Sequence, residues 1–247
     1  MSGLTYLITG ANRGIGKGLL TTLVLRPNTT IIAGVRDVAS ATETLKSIPV
    51  GPGSKIIIVK IDSTVDNDAA AAVEELKTKY GITHIDVLLS NAGLLDIVAP
   101  VLETPADQVR KHFEVNTIAP LILLQAFKPL LDGSSSPKFL VITSSIGSIG
   151  KMAEIPVPFF AYGISKAAAN YFVRKVSFEN PKLISMAFNP GWVQTDMGTG
   201  AANQVGMADA PMTLEESIKG LVKLFDEASL EKTGTFTQAV TEESIPW

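Results

Sequence analysis

The segment Leu4-Thr5-Tyr6-Leu7-Ile8-Thr9-Gly10-Ala11-Asn12-Arg13-Gly14-Ile15-Gly16 constrains this chain more than any other. An apolar run ends in three glycines, Gly10, Gly14 and Gly16, and opens into a helix-like stretch. A short buried strand, a turn without Cβ atoms and a helix N-terminus together make an anion site. Free backbone N–H groups and the helix dipole converge there, and a pyrophosphate fits. A glycine-rich turn at a strand end is often only a turn, so the rest of the chain has to support the reading.

It does so by alternation. Short β-branched runs at residues 30–35, 55–61, 85–90, 139–143 and 184–188 are apolar nearly throughout, as parallel strands covered on both faces are. Helical stretches lie between them, at residues 67–80, 105–131 and 163–179, with a later helix at 214–228 and a strand-like 235–237. The turns at 51–54 and 132–137 are too short to link domains. The expected fold is α/β: one Rossmann-type doubly wound parallel sheet in a single domain over residues 1–247. Ligands are expected at the carboxyl ends of its strands.

Composition narrows the function by exclusion. A net charge of −3 gives no reason to expect nucleic acid or an anionic membrane as partner. The chain has no cysteine, and its two histidines, His84 and His112, have no ligand-like spacing around them, so no metal site is expected. Met1-Ser2-Gly3 runs straight into the first strand, and no apolar run reaches the roughly 18 residues that span a bilayer. A cytoplasmic protein acting on a small molecule is the expectation.

Tyr162-Gly163-Ile164-Ser165-Lys166 adds chemistry. Tyr162 and Lys166 stand four apart and share a helix face. A tyrosine of ordinary pKa, about 10, is a poor proton donor or acceptor at neutral pH. A neighbouring ammonium is expected to lower that value and suit the phenol to acid–base work.

With these motifs in order, the chain resembles the short-chain dehydrogenase/reductase family over essentially its full length. The resemblance rests on Thr9-Gly10-x-x-x-Gly14-x-Gly16, Asp62, Asn91-Ala92-Gly93, Asn116, a serine cluster, Tyr162-x-x-x-Lys166 and Asn189-Pro190-Gly191. Within the family it is most similar to the compact fungal ketoreductases of the norsolorinic acid ketoreductase type, a likeness supported by Pro137-Lys138-Phe139 and the ending Ile245-Pro246-Trp247. The resemblance implies a carbonyl reductase with a Ser-Tyr-Lys-Asn set. Tyr162 exchanges a proton with the carbonyl oxygen, Lys166 holds the nicotinamide ribose, and a serine hydroxyl bonds the substrate oxygen. Asn116 orders a water that relays protons to Lys166; the alternative is an asparagine bonding backbone at a helix irregularity. Ser144 takes the serine's place in a gap-free alignment from Pro137 to Gly147, with Ser145 and then Ser148 behind it.

The same resemblance implies cofactor contacts from Gly10, Asn12, Arg13, Gly14, Ile15, Gly16, Asp62, Ser63, Asn91, Ala92, Gly93, Tyr162, Lys166, Pro190, Gly191, Val193 and Thr195. Charge argues for NADP(H). The second strand ends Gly34-Val35-Arg36-Asp37, where Arg36 can pair with a 2′-phosphate and Arg13 adds a second positive charge. Asp37 can accept from a ribose, and Arg36 can instead pair with Asp37 or Glu43. Residues 195–211, rich in Gly and Ala, read as a mobile substrate lid. The loop 154–160 reads either as a substrate wall or as a proline-stiffened surface insertion.

Two other functions fit the same residues: an alcohol dehydrogenase working mainly in the oxidative direction, and a non-catalytic NADP-binding sensor. A homo-oligomer, dimer or tetramer, is expected on the two long helices. Phe113, Ile118, Leu121, Ile122 and Leu124 on one, and Ala167, Ala168, Tyr171, Phe172 and Val176 on the other, offer the apolar surface.

Overall fold

A computed structural model describes residues 3–247; Met1 and Ser2, read above as leading into the first strand, lie outside the described residues. In order, the chain forms β1 (Thr5–Thr9), α1 (Gly14–Leu23), β2 (Thr30–Val35), α2 (Val38–Leu45), β3 (Lys55–Lys60) and α3 (Asn67–Tyr80). Then come β4 (Val87–Ser90), α4 (Ala106–Phe113), a π-helical turn (Glu114–Ile118), α5 (Ala119–Leu131) and β5 (Lys138–Ile142). The last part holds α6 (Phe160–Glu179), β6 (Ile184–Asn189), α7 (Asp196–Gln204), α8 (Leu214–Asp226) and β7 (Phe236–Gln238).

The strands join one parallel sheet in the order β3-β2-β1-β4-β5-β6-β7. Alternation along each strand feeds two cores. Leu7, Ile32, Val59 and Leu88 face α3, α5 and α6, meeting Leu76, Phe127, Leu130 and Val173. Tyr6, Ile8, Ile31 and Leu89 face α1 and α8, meeting Leu19, Leu23, Leu221 and Phe225. The chain thus winds outward from β1 in both directions, and a crevice opens where the order reverses, between β1 and β4. Among the described residues no helix is long and apolar enough to cross a membrane.

Several boundaries differ from the sequence reading. The run at 85–90 enters the sheet only at Val87, because the Asp86 carboxylate caps the Thr5 N–H and the Ser134 hydroxyl beside the ladder. The third helix of the reading starts at Phe160, since the Gly163 N–H already closes a turn on the Phe159 carbonyl. The stretch 105–131 is not one regular helix. At Glu114–Ile118 it widens into a π turn, with the Ala119 N–H bonded to the Glu114 carbonyl. That extra residue turns Asn116 inward.

Candidate active site

The glycine turn has the geometry its composition implies. Gly10 and Gly14 take φ values of +65° and +51°, which side chains rarely adopt. A Cβ on Gly16 would lie 2.3 Å from the Gly10 carbonyl oxygen. No side chain caps α1: Arg13 sits at its N-cap in extended conformation and makes no cap bond. The first-turn N–H groups are therefore free for an anion, and the residues present fit a dinucleotide pyrophosphate. Thr9 braces the turn from behind. Its hydroxyl accepts from the Asn91 and Ala92 N–H groups, each at 3.0 Å, while Asn91 Nδ2 donates to the Thr9 carbonyl at 2.8 Å. Asn91 is thus turned toward the turn's backbone and braces it.

Around the turn, Asp62, Ser63 and Ala92 line a crevice with Val115 and Leu123. Asp62 accepts from the Thr64 N–H and hydroxyl, which hold its carboxyl below the usual range. Asp37 caps α2 by accepting from the Ser40 N–H at 3.1 Å. Arg36 is exposed and, among the described residues, forms no ion pair; Glu43 pairs with Lys46 instead. Arg13 reaches Asp196 on α7 at 4.0 Å, both side chains well exposed. Thr195 caps α7 at the Gly198 N–H and rests over Gly14, with Val193 buried beside it. Asn12 and Ile15 sit half-buried in the turn, and Pro190 accepts at its carbonyl from Ser217. Gly191, at φ +89°, leaves room that Met212 fills.

The groups expected to react converge where β5 ends beneath α6. Lys166 is 4% exposed, and its Nζ donates to the Ile142 carbonyl at 3.0 Å and lies 5.6 Å from the Tyr162 ring centroid. Burial pulls the Lys166 pKa down to about 8 and pushes the Tyr162 phenol up to about 12. The second shift corrects the expectation that the ammonium lowers the tyrosine. Desolvation of the phenolate wins, and the group that opposes the rise is the hydrogen-bonding Ser144 hydroxyl.

Ser144 is the serine brought to Tyr162. It follows β5 in extended conformation, is buried, and also accepts from the Ile146 N–H. Ser145 opens the short 3₁₀ turn Ser145–Gly147. Ser148 is committed elsewhere, its hydroxyl donating to the Pro246 carbonyl and accepting from the Lys151 N–H.

Asn116 is drawn in by the π turn, and both lobes of its amide are engaged. Oδ1 accepts from the Leu94 N–H at 2.8 Å; Nδ2 donates to the Leu94 carbonyl and to Ser165 Oγ, at 2.9 and 3.0 Å. The side chain therefore takes the backbone-bonding alternative weighed above. Gly93 lies between it and Lys166: a Cβ there would be 3.4 Å from Asn116 Oδ1 and 3.6 Å from Lys166 Nζ.

Apolar walls stand beside this centre. Ala99 and Phe159 form a parallel bridge, and Phe159 meets Trp192 edge-on at 5.8 Å. The end of the loop 154–160 is thus tied to Ala99 and Trp192 through Phe159, while Glu154 and Pro156 are exposed. Trp192 Nε1 donates to the Gly198 carbonyl, which anchors α7. The segment read as a mobile lid is helical over Asp196–Gln204. Sequence reasoning missed two buried polar groups nearby, Thr143 and Asn170. The spacing of Asn170 four residues beyond Lys166 was the available signal.

Comparison with known proteins agrees with this geometry. The short chain dehydrogenase family profile matches residues 5–206. Norsolorinic acid ketoreductase of Dothistroma septosporum is 43% identical over 98% of this chain and 92% of its own length. The norsolorinic acid ketoreductase of Aspergillus parasiticus is 40% identical over 98% and 90%. Among solved structures, an NADPH-bound carbonyl reductase from chicken fatty liver superposes with a TM-score of 0.86 at 27% identity, covering all of both chains.

Proposed function

The chain belongs to the short-chain dehydrogenase/reductase family, an oxidoreductase acting between C=O and CH–OH groups with a nicotinamide cofactor, and on that premise we propose that it is an NADPH-dependent ketone reductase. The observation that carries the reading is the meeting of half-buried Tyr162, Ser144 and the buried Lys166 where β5 ends beneath α6. When bound, the cofactor supplies hydride to the carbonyl carbon. The chain's own groups do the rest. Ser144 holds the substrate oxygen, and Tyr162, whose pKa near 12 keeps it protonated at neutral pH, delivers its proton there. Lys166 stays largely an ammonium at neutral pH and holds the ribose hydroxyls. Asn116 positions α6 through Ser165 and fixes the π turn.

The unpaired Arg36, with Asp37 withdrawn into its cap, supports preference for the 2′-phosphate. Phe159 and Trp192, with the exposed Ile149 and Met152 on the loop after β5, support an apolar ketone of aromatic, polyketide-like character. The ketoreductase relatives point the same way. The test is NADPH consumption by the purified protein against a panel of aryl ketones, with NADH in parallel. Ketone-dependent oxidation of NADPH is expected; cofactor binding without turnover on any carbonyl would favour a sensor.

We also assign self-association to α5 and α6, with a correction to its surface. Leu124 and Val176 are buried in the chain's own core, and Phe172 packs edge-on against Phe139, because both helices turn that side to the sheet. Ile118, Leu121 and Tyr171 remain exposed for a partner copy. Light scattering distinguishes an assembly from the 26.2 kDa of one chain.

A further inference from the structure

We propose that Thr143 and Asn170 are positioning residues, a rigid rung that sets Ser144 against Tyr162. The proposal rests on the reading of Ser144 and Tyr162 as the pair facing substrate. Three successive residues at the end of β5 each meet one member of a column on α6. The Ile142 carbonyl accepts from Lys166 Nζ at 3.0 Å and Thr143 Oγ1 donates to Asn170 Oδ1 at 2.6 Å, while the Ser144 hydroxyl lies close enough to the Tyr162 phenol to lower its pKa. Tyr162, Lys166 and Asn170 follow one another at intervals of four residues, so they stack along one helix face. Gly147 closes the seam above them: a Cβ there would sit 2.6 Å from the Lys166 carbonyl carbon.

The three links differ in stiffness. Lys166 reaches its carbonyl on a four-carbon stem that can follow a sliding helix. Apolar packing between strand and helix also tolerates small slides. Thr143 and Asn170 have short side chains, and the two are 1% and 2% exposed. A shift of one strand residue, about 3.3 Å, would break their bond with no water to replace it. The pair is also a poor stabiliser, because Asn170 Nδ2 is buried without a hydrogen-bond partner. What the rung contributes is register, and the residue whose register it sets is the next one, Ser144.

The experiment is a double-mutant cycle on the intact protein. Thr143→Val removes the hydroxyl at nearly constant volume. It should lower kcat on the order of tenfold while the NADPH Kd stays unchanged and the melting temperature does not fall in proportion. Thr143→Ser should restore most of the loss. In a Ser144→Ala background, Thr143→Val should cost less than about twofold further, since the hydroxyl it places is already gone. Asn170→Ala carries the same cycle if Thr143→Val fails to fold. Turnover by Thr143→Val within about twofold of the parent, or a loss that multiplies fully with Ser144→Ala, overturns the proposal. Full activity of Ser144→Ala itself overturns the reading beneath it, which separates the two failures.

Discussion

The seam between β5 and α6 and the rim formed by the glycine turn, the end of β2 and α7 treat polar groups in opposite ways. In the seam, Thr143, Ser144, Lys166 and Asn170 are buried and bonded to one another or to backbone. On the rim, Arg13 and Arg36 stand exposed, and among the described residues the ion pair across to α7 is a 4.0 Å contact between exposed side chains. The difference follows from the two jobs. Proton delivery needs donors held in place before the substrate arrives, so their reorganisation is complete at folding. A cofactor and substrate that must enter and leave need charge that is free to be paired and a closure that opens at low cost.

The largest break in this comparison should come from the seam. Tyr162→Phe should keep the fold and cofactor affinity yet reduce turnover by two or more orders of magnitude, measured as NADPH oxidation alongside a thermal melt. Ser144→Ala should follow with a loss well above that of Ser145→Ala; the reverse order would move the catalytic role to Ser145. On the rim, Arg36→Ala should weaken NADPH by about 1.5–3 kcal/mol, the scale of a charge-assisted hydrogen bond, and leave NADH nearly unchanged in fluorescence titrations. Equal losses for the two cofactors would detach Arg36 from the 2′-phosphate.

The seam's electrostatics predict a stability signature. Lys166 releases its proton near pH 8 in the fold and near 10.5 in the unfolded chain. Below pH 8 it is charged in both states and its burial opposes folding. Above that, the folded state sheds the proton first, so stability rises with pH until the unfolded chain titrates too. Relative to Lys166→Met, the protein should gain on the order of 2 kcal/mol in denaturant unfolding between about pH 7 and about pH 9.5, below the range where tyrosines ionise. The smallest effect belongs to the rim: Asp196→Ala should change stability by less than about 0.5 kcal/mol, as exposed pairs do. A loss of several kcal/mol there would mean that α7 is built like the seam.

The glycine turn, the alternating elements and the pair Tyr162 and Lys166 were legible because each depends on local rules. A left-handed turn needs glycine, buried parallel strands need apolar runs, and residues four apart share a helix face. Those rules extended to the single sheet and to the proposal of Ser144, which rests on a gap-free alignment across Pro137–Gly147. They did not reach the π turn, since the one-residue widening at Glu114–Ile118 answers to Leu94 and Ser165 (22 and 49 positions from Asn116). Nor did they reach the direction of the Tyr162 shift. A nearby lysine can be read from spacing, but desolvation depends on everything packed around the phenol, and here it outweighs the opposing Ser144 hydroxyl.

By itself, then, the order of residues determined the fold class, the left-handed glycine turn and the spacing of Tyr162 and Lys166 on one helix face. Tertiary packing alone decided which polar side chains are consumed within the protein, as Asp37, Asn91, Asn116 and Ser148 are, and which are left facing outward, as Arg36 is. The reason is that a hydrogen bond between distant segments depends on both partners arriving at one place. Propensity and periodicity act within a few residues, whereas this meeting is set by how the sheet and its helices close on each other.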